Sequence, residues 1–428
     1  MKDDTTRRRA LQTIALGSLA GLAGCMGGGS SSPSTSRTDA GTTTTTASGS
    51  TTTDSGGSTP PKNPEVIEDF TDLTKFTVKA GRLEALKDGT YKDSEQAALL
   101  TRKDKEPVIE RPVEADLTNT NLSMAVKLEA DKHAVLSIEM FNESESDSVT
   151  FAKSIRKSTS GFWQRLDLGA TNLSGLPNLG KVTKMRFTLK GAGSGGKIAL
   201  DSLQRVPSPD KGYVALVFDD AHASDYTHAY QTLKQYDIPA TSAVVTNHVG
   251  NDGMLNLKQM DEMKSYGWEF CSQTANHANL LNAGRLEVER EIVGAKEWLV
   301  DHGFEQGAKT FTYPYGLYTN KIAQFVSQHH EMGMGFFGPR NAAMGYITEP
   351  MTISRGDASN IPRAQTMVDL AGLYNDLSIL TFHGIGQGGE LDVTPEQFEK
   401  FAAYLADANV ETITLSQIPG KFQPKDGW

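Results

Sequence analysis

Two adjacent carboxylates, Asp219 and Asp220, close the apolar run Ala215-Leu216-Val217-Phe218. Like charges placed where a buried strand meets a loop cost electrostatic energy, because each ionised carboxylate disfavours ionisation of the other. A cation beside them stabilises both and pulls their titrations apart, so that one can hold a metal while its neighbour handles a proton. Three other segments carry groups of the same kind. Gln273-Thr274-Ala275-Asn276-His277 puts a histidine just past a strand, Phe311-Thr312-Tyr313-Pro314-Tyr315-Gly316 makes an aromatic turn, and Leu380-Thr381-Phe382-His383-Gly384 ends a strand in a histidine. Singly, an Asp pair is ordinarily solvated surface, a lone histidine a hydrogen-bonded structural residue, and Tyr-Pro-Tyr-Gly only a turn. Their recurrence at successive strand ends is what points to a site.

The elements that must position these residues begin after Pro207-Ser208-Pro209, where apolar strands alternate with helical periodicity, an α/β signature. Ser224 is placed to cap a helix carrying Tyr226, Ala229, Tyr230 and Leu233 on one face. Ala240 to Val245, Phe311 to Tyr313, Ser378 to Phe382 and Thr412 to Leu415 read as strands, and Val288, Ile292, Ala295 and Leu299 as the inner stripe of a longer helix. Met332 to Gly338, rich in glycine, reads as a loop. Parallel strands joined by helices form a barrel or an open sheet, and in both the carboxyl ends of the strands carry the chemistry, which is where Asp219 and Asp220 fall.

Residues 65–207 have another rhythm. Phe76 to Val78, Leu122 to Leu128, Ala134 to Phe141, Lys184 to Leu189 and Lys197 to Leu203 are short alternating or β-branched stretches separated by turn residues, which favours an antiparallel sandwich. Phe162-Trp163 with Leu166-Asp167-Leu168, and Ile198 to Asp201, resemble the strands of jelly-roll carbohydrate-binding modules, without a diagnostic motif. Trp163 is assigned no site, since a strand tryptophan ordinarily packs.

At the N-terminus, Arg7-Arg8-Arg9 precedes a small-residue apolar stretch ending in Leu22-Ala23-Gly24-Cys25. The stretch is shorter than the roughly 20 residues that cross a bilayer, so residues 1–25 read as a twin-arginine export signal with a lipobox, Cys25 being the site of lipid attachment. The expected location is the outer face of the cell membrane. Residues 26–64 are almost wholly Ser, Thr, Gly and Pro and cannot offset their ordering entropy, which predicts a disordered stalk. The only other cysteine of the 428-residue chain is Cys271, so no disulfide framework is expected. Lys and Arg total 42 against 52 Asp and Glu, a net charge of −10 that disfavours nucleic acid as a partner.

In order and spacing, Val217-Phe218-Asp219-Asp220, Gln273 to Leu280, Tyr313-Pro314-Tyr315-Gly316 and Leu380 to Gly384 resemble the motifs of the polysaccharide deacetylases, the NodB-homology or carbohydrate esterase family 4 type. Tyr236-Asp237-Ile238-Pro239-Ala240-Thr241 is similar to that family's second strand entry, and the likeness runs from Tyr213 to Pro419. It implies a distorted (β/α) barrel over residues 210–428 and metal-dependent removal of N- or O-acetyl groups from an extracellular or cell-envelope polysaccharide. It implies Asp219 as catalytic base, Asp220 and His277 as ligands of a divalent cation, zinc foremost, and His383 as general acid. The resemblance further implies that a backbone N–H at Tyr315, in the turn opened by Pro314, joins the cation in meeting the oxyanion.

Two positions depart from the pattern. Gln273 stands where the family has the first histidine of a His-x-x-x-His pair, and an amide oxygen is a weak ligand. His222 is a candidate substitute, or Gln273 holds a water that bridges to the metal. Thr312 stands where many relatives have an arginine that orients the base, and Arg355, in Ile353-Ser354-Arg355-Gly356-Asp357, is a candidate source of that charge. The expectation is therefore a tethered deacetylase, with the alternative of a catalytically weak or inactive relative that grips glycan.

Overall fold

The computed structural model describes residues 64–92, 94–337, 343–345 and 347–422. The expected signal with Cys25, and residues 26–63 of the expected stalk, lie outside the described residues.

The β-rich half is built as its alternation predicts. Strands 120–129, 134–141, 182–191 and 197–207 sit on the stretches read from sequence, within a few residues at their ends. They fall into two antiparallel sheets, one centred on Lys197–Pro207 between Ala97–Thr101 and Thr120–Glu129, the other ordered 170–174, 148–155, 134–141, 182–191, 108–115, 77–80. Leu122, Met124, Val126 and Leu128 alternate along one sheet and Leu136, Ile138 and Met140 along the other, and all are buried in a shared core. Trp163 lies at the start of Trp163–Leu168, its indole N–H donating to Gly89 O at 2.8 Å.

The second half closes into a barrel. Its strands are β1 (Gly212–Asp219), β2 (Thr241–Val244), β3 (Glu269–Ser272), β4 (Thr310–Thr312), β5 (Met332–Phe337), β6 (Ile353–Asp357) and β7 (Leu377–Phe382). Each pairs in parallel with the next, and β7 returns to β1 in the register Tyr213↔Leu377 to Phe218↔Phe382, which completes the circle. An outer strand, β8 (Val410–Ile413), lies parallel against the first half of β1. Every residue of β1 is buried, as expected of a parallel strand covered on both faces. Its side chains divide by parity: Val214, Leu216 and Phe218 join the cluster under the helices, whereas Tyr213, Ala215 and Val217 pack inward with Met332, Ile353, Leu377 and Ile379.

Two expectations need correction. Met332 to Phe337 is a barrel strand, not a loop. Its glycines are required by the neighbouring tyrosines: a Cβ on Gly333 would come within 2.8 Å of the Tyr313 hydroxyl, and one on Gly335 within 2.8 Å of the Tyr318 ring. Ser224 has helical backbone and no capping hydrogen bond; its hydroxyl instead accepts from Ile385 N at 3.2 Å, tying the segment after β1 to the segment after β7.

Candidate active site

Strand parity decides which side chains enter the barrel mouth. Val217 packs inward, so Asp219 does too. Ile353 sets Arg355 inward, Cys271 sets Gln273, and Ile379 sets His383, two residues per step. Four strands thus deliver four polar groups to one end of a channel otherwise filled with apolar side chains.

Arg355 and Asp219 form the buried centre. The guanidinium Nη1 donates to Asp219 Oδ1 at 2.6 Å, with side-chain exposures of 1% and 4%. His383 Nε2 lies 3.8 Å from the other oxygen, Oδ2. An arginine held this close pairs with the carboxylate and fixes its plane. Thr312 hydrogen-bonds with the buried Cys271 thiol across 3.6 Å, so the orienting charge absent at Thr312 is supplied from β6. Burial pushes the Cys271 thiol up to about 12, which leaves it protonated and inert.

Asp220 sits one residue on, in the turn, between two imidazoles. His277 Nε2 is 3.5 Å from Oδ1 and His222 Nε2 is 3.7 Å from Oδ2. Burial opposes ionisation of Asp220, but His222, His277 and His383 together outweigh it and hold the carboxyl below its ordinary value. Asp220 in turn raises the pKa of His222. Beneath them Asp225 is fully buried, accepts from Ser242 Oγ at 2.9 Å, and is driven well above the carboxylate range by desolvation.

Gln273 is turned in a way that sequence does not reveal. Its Oε1 accepts from Asp220 N at 2.9 Å, and Nε2 lies 3.2 Å from His277 Nε2. A backbone N–H can only be met by the amide oxygen, so the orientation is fixed and an NH2 group, without a lone pair, faces the histidine. Gln273 therefore braces Asp220 and His277, with its amide oxygen already engaged by a backbone N–H.

The donor set can be tested against a divalent cation on this geometry. Two donors sharing a tetrahedral ion with bonds near 2 Å stand about 3.3 Å apart, and the 3.5 Å between Asp220 and His277 fits. Among the described residues no group of three or more His, Cys, Asp or Glu side chains is arranged to hold a metal. The residues fit a cation held by Asp220 and His277, not one held by a third protein side chain in place; His222 approaches Asp220 at its other oxygen.

Five non-glycine residues here have left-handed backbone: Asp220 (φ 73°), Ala221 (57°), Thr274 (69°), His277 (58°) and Tyr315 (58°). Such strain persists where surroundings over-determine it, and it concentrates at functional sites. Glu291 provides part of that determination and was missed from sequence. In helix 285–301, which carries a π-bulge at Arg290–Gly294, Glu291 is buried and accepts from Asn276 N at 2.8 Å and Asn276 Nδ2 at 2.7 Å, beside His277. The available signal was a charged residue abutting an apolar stripe. Pro314 is buried at the start of the turn Pro314–Gly316, while Tyr315 is 53% exposed with its ring edge-on to His277 at 4.6 Å.

A closed parallel barrel with these groups at its carboxyl end defines an α/β-barrel site for polar, proton-transfer chemistry. Residues 207–333 match the family model of the polysaccharide deacetylases. The chain is 34% identical over 121 residues to a poly-β-1,6-N-acetyl-D-glucosamine N-deacetylase of Staphylococcus aureus, covering 25% of this chain and 41% of the relative. The Staphylococcus epidermidis enzyme of that name is 32% identical over 121 residues, covering 25% and 42%. The chain thus spans about two-fifths of the length of the curated relatives it matches. Among solved structures, a Streptococcus pyogenes deacetylase, PplD, in complex with acetate is 30% identical, covering 36% of this chain and 69% of its own, with a TM-score of 0.33.

Proposed function

We propose that the protein hydrolyses acetyl groups from a polysaccharide of acetylated sugars, with a polymer of β-1,6-linked N-acetylglucosamine as the first substrate class to test. The observation that carries this reading is the Asp219 carboxylate, clamped by Arg355 on one oxygen and faced by His383 on the other. In this assignment Asp219 takes the proton of the attacking water as its oxygen meets the acetyl carbonyl, and Arg355 holds the base aimed. His383 protonates the departing amine or hydroxyl. The Tyr315 N–H stabilises the developing oxyanion. A divalent cation, zinc foremost, held by Asp220 and His277 would supply Lewis acidity, polarising the carbonyl and acidifying water.

A second reading has a specific observation in its favour. Gln273 presents an NH2 group to His277 in place of an imidazole, which favours a metal-poor relative that grips glycan without turnover. Acetate release from acetylated glucosamine oligomers, measured with the metal content of the purified protein, separates the two. Release that Asp219→Asn abolishes supports the hydrolase; retained glycan binding with no release and no metal supports the other.

Export by the twin-arginine route and tethering at Cys25 are proposed from sequence alone. Wild-type protein should partition with membranes and Cys25→Ala with the soluble fraction; identical partitioning would refute the tether.

A further inference from the structure

We infer that the β-sandwich completes the catalytic pocket, with Arg156 as a positioning residue that fixes the Tyr315–Gly316 peptide beside His277. The inference rests on the acetyl-hydrolysis reading for its consequence in turnover and extends it by a residue outside the barrel.

Tyr315 and Gly316 both have positive φ, 58° and 60°. For tyrosine that conformation is unfavourable and needs outside support. The peptide joining the two residues is held at both ends. Gly316 N donates to Tyr313 O at 2.8 Å, within the turn. The Tyr315 carbonyl accepts from Arg156 Nη2 at 3.2 Å, from the other domain. A planar peptide unit anchored through both its N–H and its C=O cannot rotate without losing one bond.

Arg156 is itself well placed to act as an anchor. It directly follows the strand Ser148–Ile155, and its carbonyl accepts from Thr159 N at 3.1 Å and Thr159 Oγ1 at 2.9 Å. Its Nη1 stands 3.3 Å from His133 Nε2. With Gln164 and Arg165 it lines a cleft whose opposite wall is Tyr318, Glu349 and Ser354 of the barrel. Tyr318 packs 4.9 Å from Tyr313, at the root of the same turn. The chain Arg156, Tyr315, His277, Asp220 thus runs from the sandwich into the site through contacts of 3.2, 4.6 and 3.5 Å. Releasing the first frees the Tyr315 ring and its N–H from their set positions.

The test compares full-length wild type, Arg156→Ala and Arg156→Lys by amide hydrogen exchange and by acetate release from N-acetylglucosamine oligomers. In Arg156→Ala, exchange should rise in the peptide spanning 313–318 and nowhere else in the barrel, with the melting temperature unchanged. kcat should fall by about tenfold or more at nearly constant KM, as misplacement of a positioned group predicts. Arg156→Lys should recover part of the protection, and free guanidinium part of the rate in Arg156→Ala. Unchanged exchange at 313–318 in a folded Arg156→Ala protein would overturn the inference, as would loosening that spreads across the whole domain junction. Because exchange needs no turnover, a wild type that releases no acetate would sink the hydrolase reading while this result still stood or fell on its own.

Discussion

Arg355 and Asp219 show how much one buried pair can decide. Both are almost wholly buried, so removing the arginine leaves an uncompensated charge in an apolar barrel. Breaking such a pair costs about 3–5 kcal/mol. Arg355→Met is expected to lose that much in a urea titration and to lose acetate release altogether. Arg355→Lys, which keeps the charge but not the planar fork, should recover stability better than turnover. Gln273→His tests the neighbouring position. It removes the NH2 facing His277 and restores a His-x-x-x-His pair, so zinc retained after exhaustive dialysis should rise above wild type. Equal retention in the two proteins would mean that His222 or solvent already serves.

At the scale of elements, the next prediction concerns Glu291. Truncation in Glu291→Ala removes the acceptor for two Asn276 donors beside a histidine in left-handed backbone. Asn276 is exposed and water can replace part of the loss, so stability should fall by only about 1 kcal/mol. Turnover should fall further than stability, and Glu291→Gln, keeping one acceptor, should lie between. Glu291 also shows where sequence stops being informative. Val288, Ile292, Ala295 and Leu299 define one face, and Glu291, three residues after Val288 and four before Ala295, borders it, where a charged residue reads as solvated surface although the structure buries it. The strands were legible because period two and burial agree: once Val217 and Ile379 are known to face inward, so are Asp219 and His383. The strand Met332–Phe337 was not, since glycines selected to clear Tyr313 and Tyr318 carry the composition of a turn. The partner of Asp219 was legible only as a candidate, because Arg355 and Asp219 are 136 residues apart and only barrel closure brings them together.

The whole molecule is joined by polar groups buried between its halves. Asp376 of the barrel accepts from Ala170 N at 2.8 Å and from Asn121 Nδ2, and Asp167 of the sandwich accepts from Thr348 N and Oγ1 at 2.8 and 2.6 Å. Lys153 lines the cleft there, its Nζ donating to Asp167 O at 2.9 Å. Burial drives its pKa down from 10.5 to about 8, with Asp167 opposing. A lysine whose folded pKa is depressed contributes stability that is fully present above 10.5 and lost as pH falls through 8, because over that window the unfolded chain binds the proton that the folded one gives up. The full span corresponds to ~3 kcal/mol. Buried tyrosines act in the opposite sense at high pH: Tyr318, pushed up to about 12 by burial, loses stability as pH rises above 10. The informative quantity is therefore the difference between wild type and Lys153→Met, followed by denaturant titration from pH 7 to 10. Wild type should gain on the variant steadily above pH 8, and parallel curves would show that Lys153 does not titrate within the domain junction.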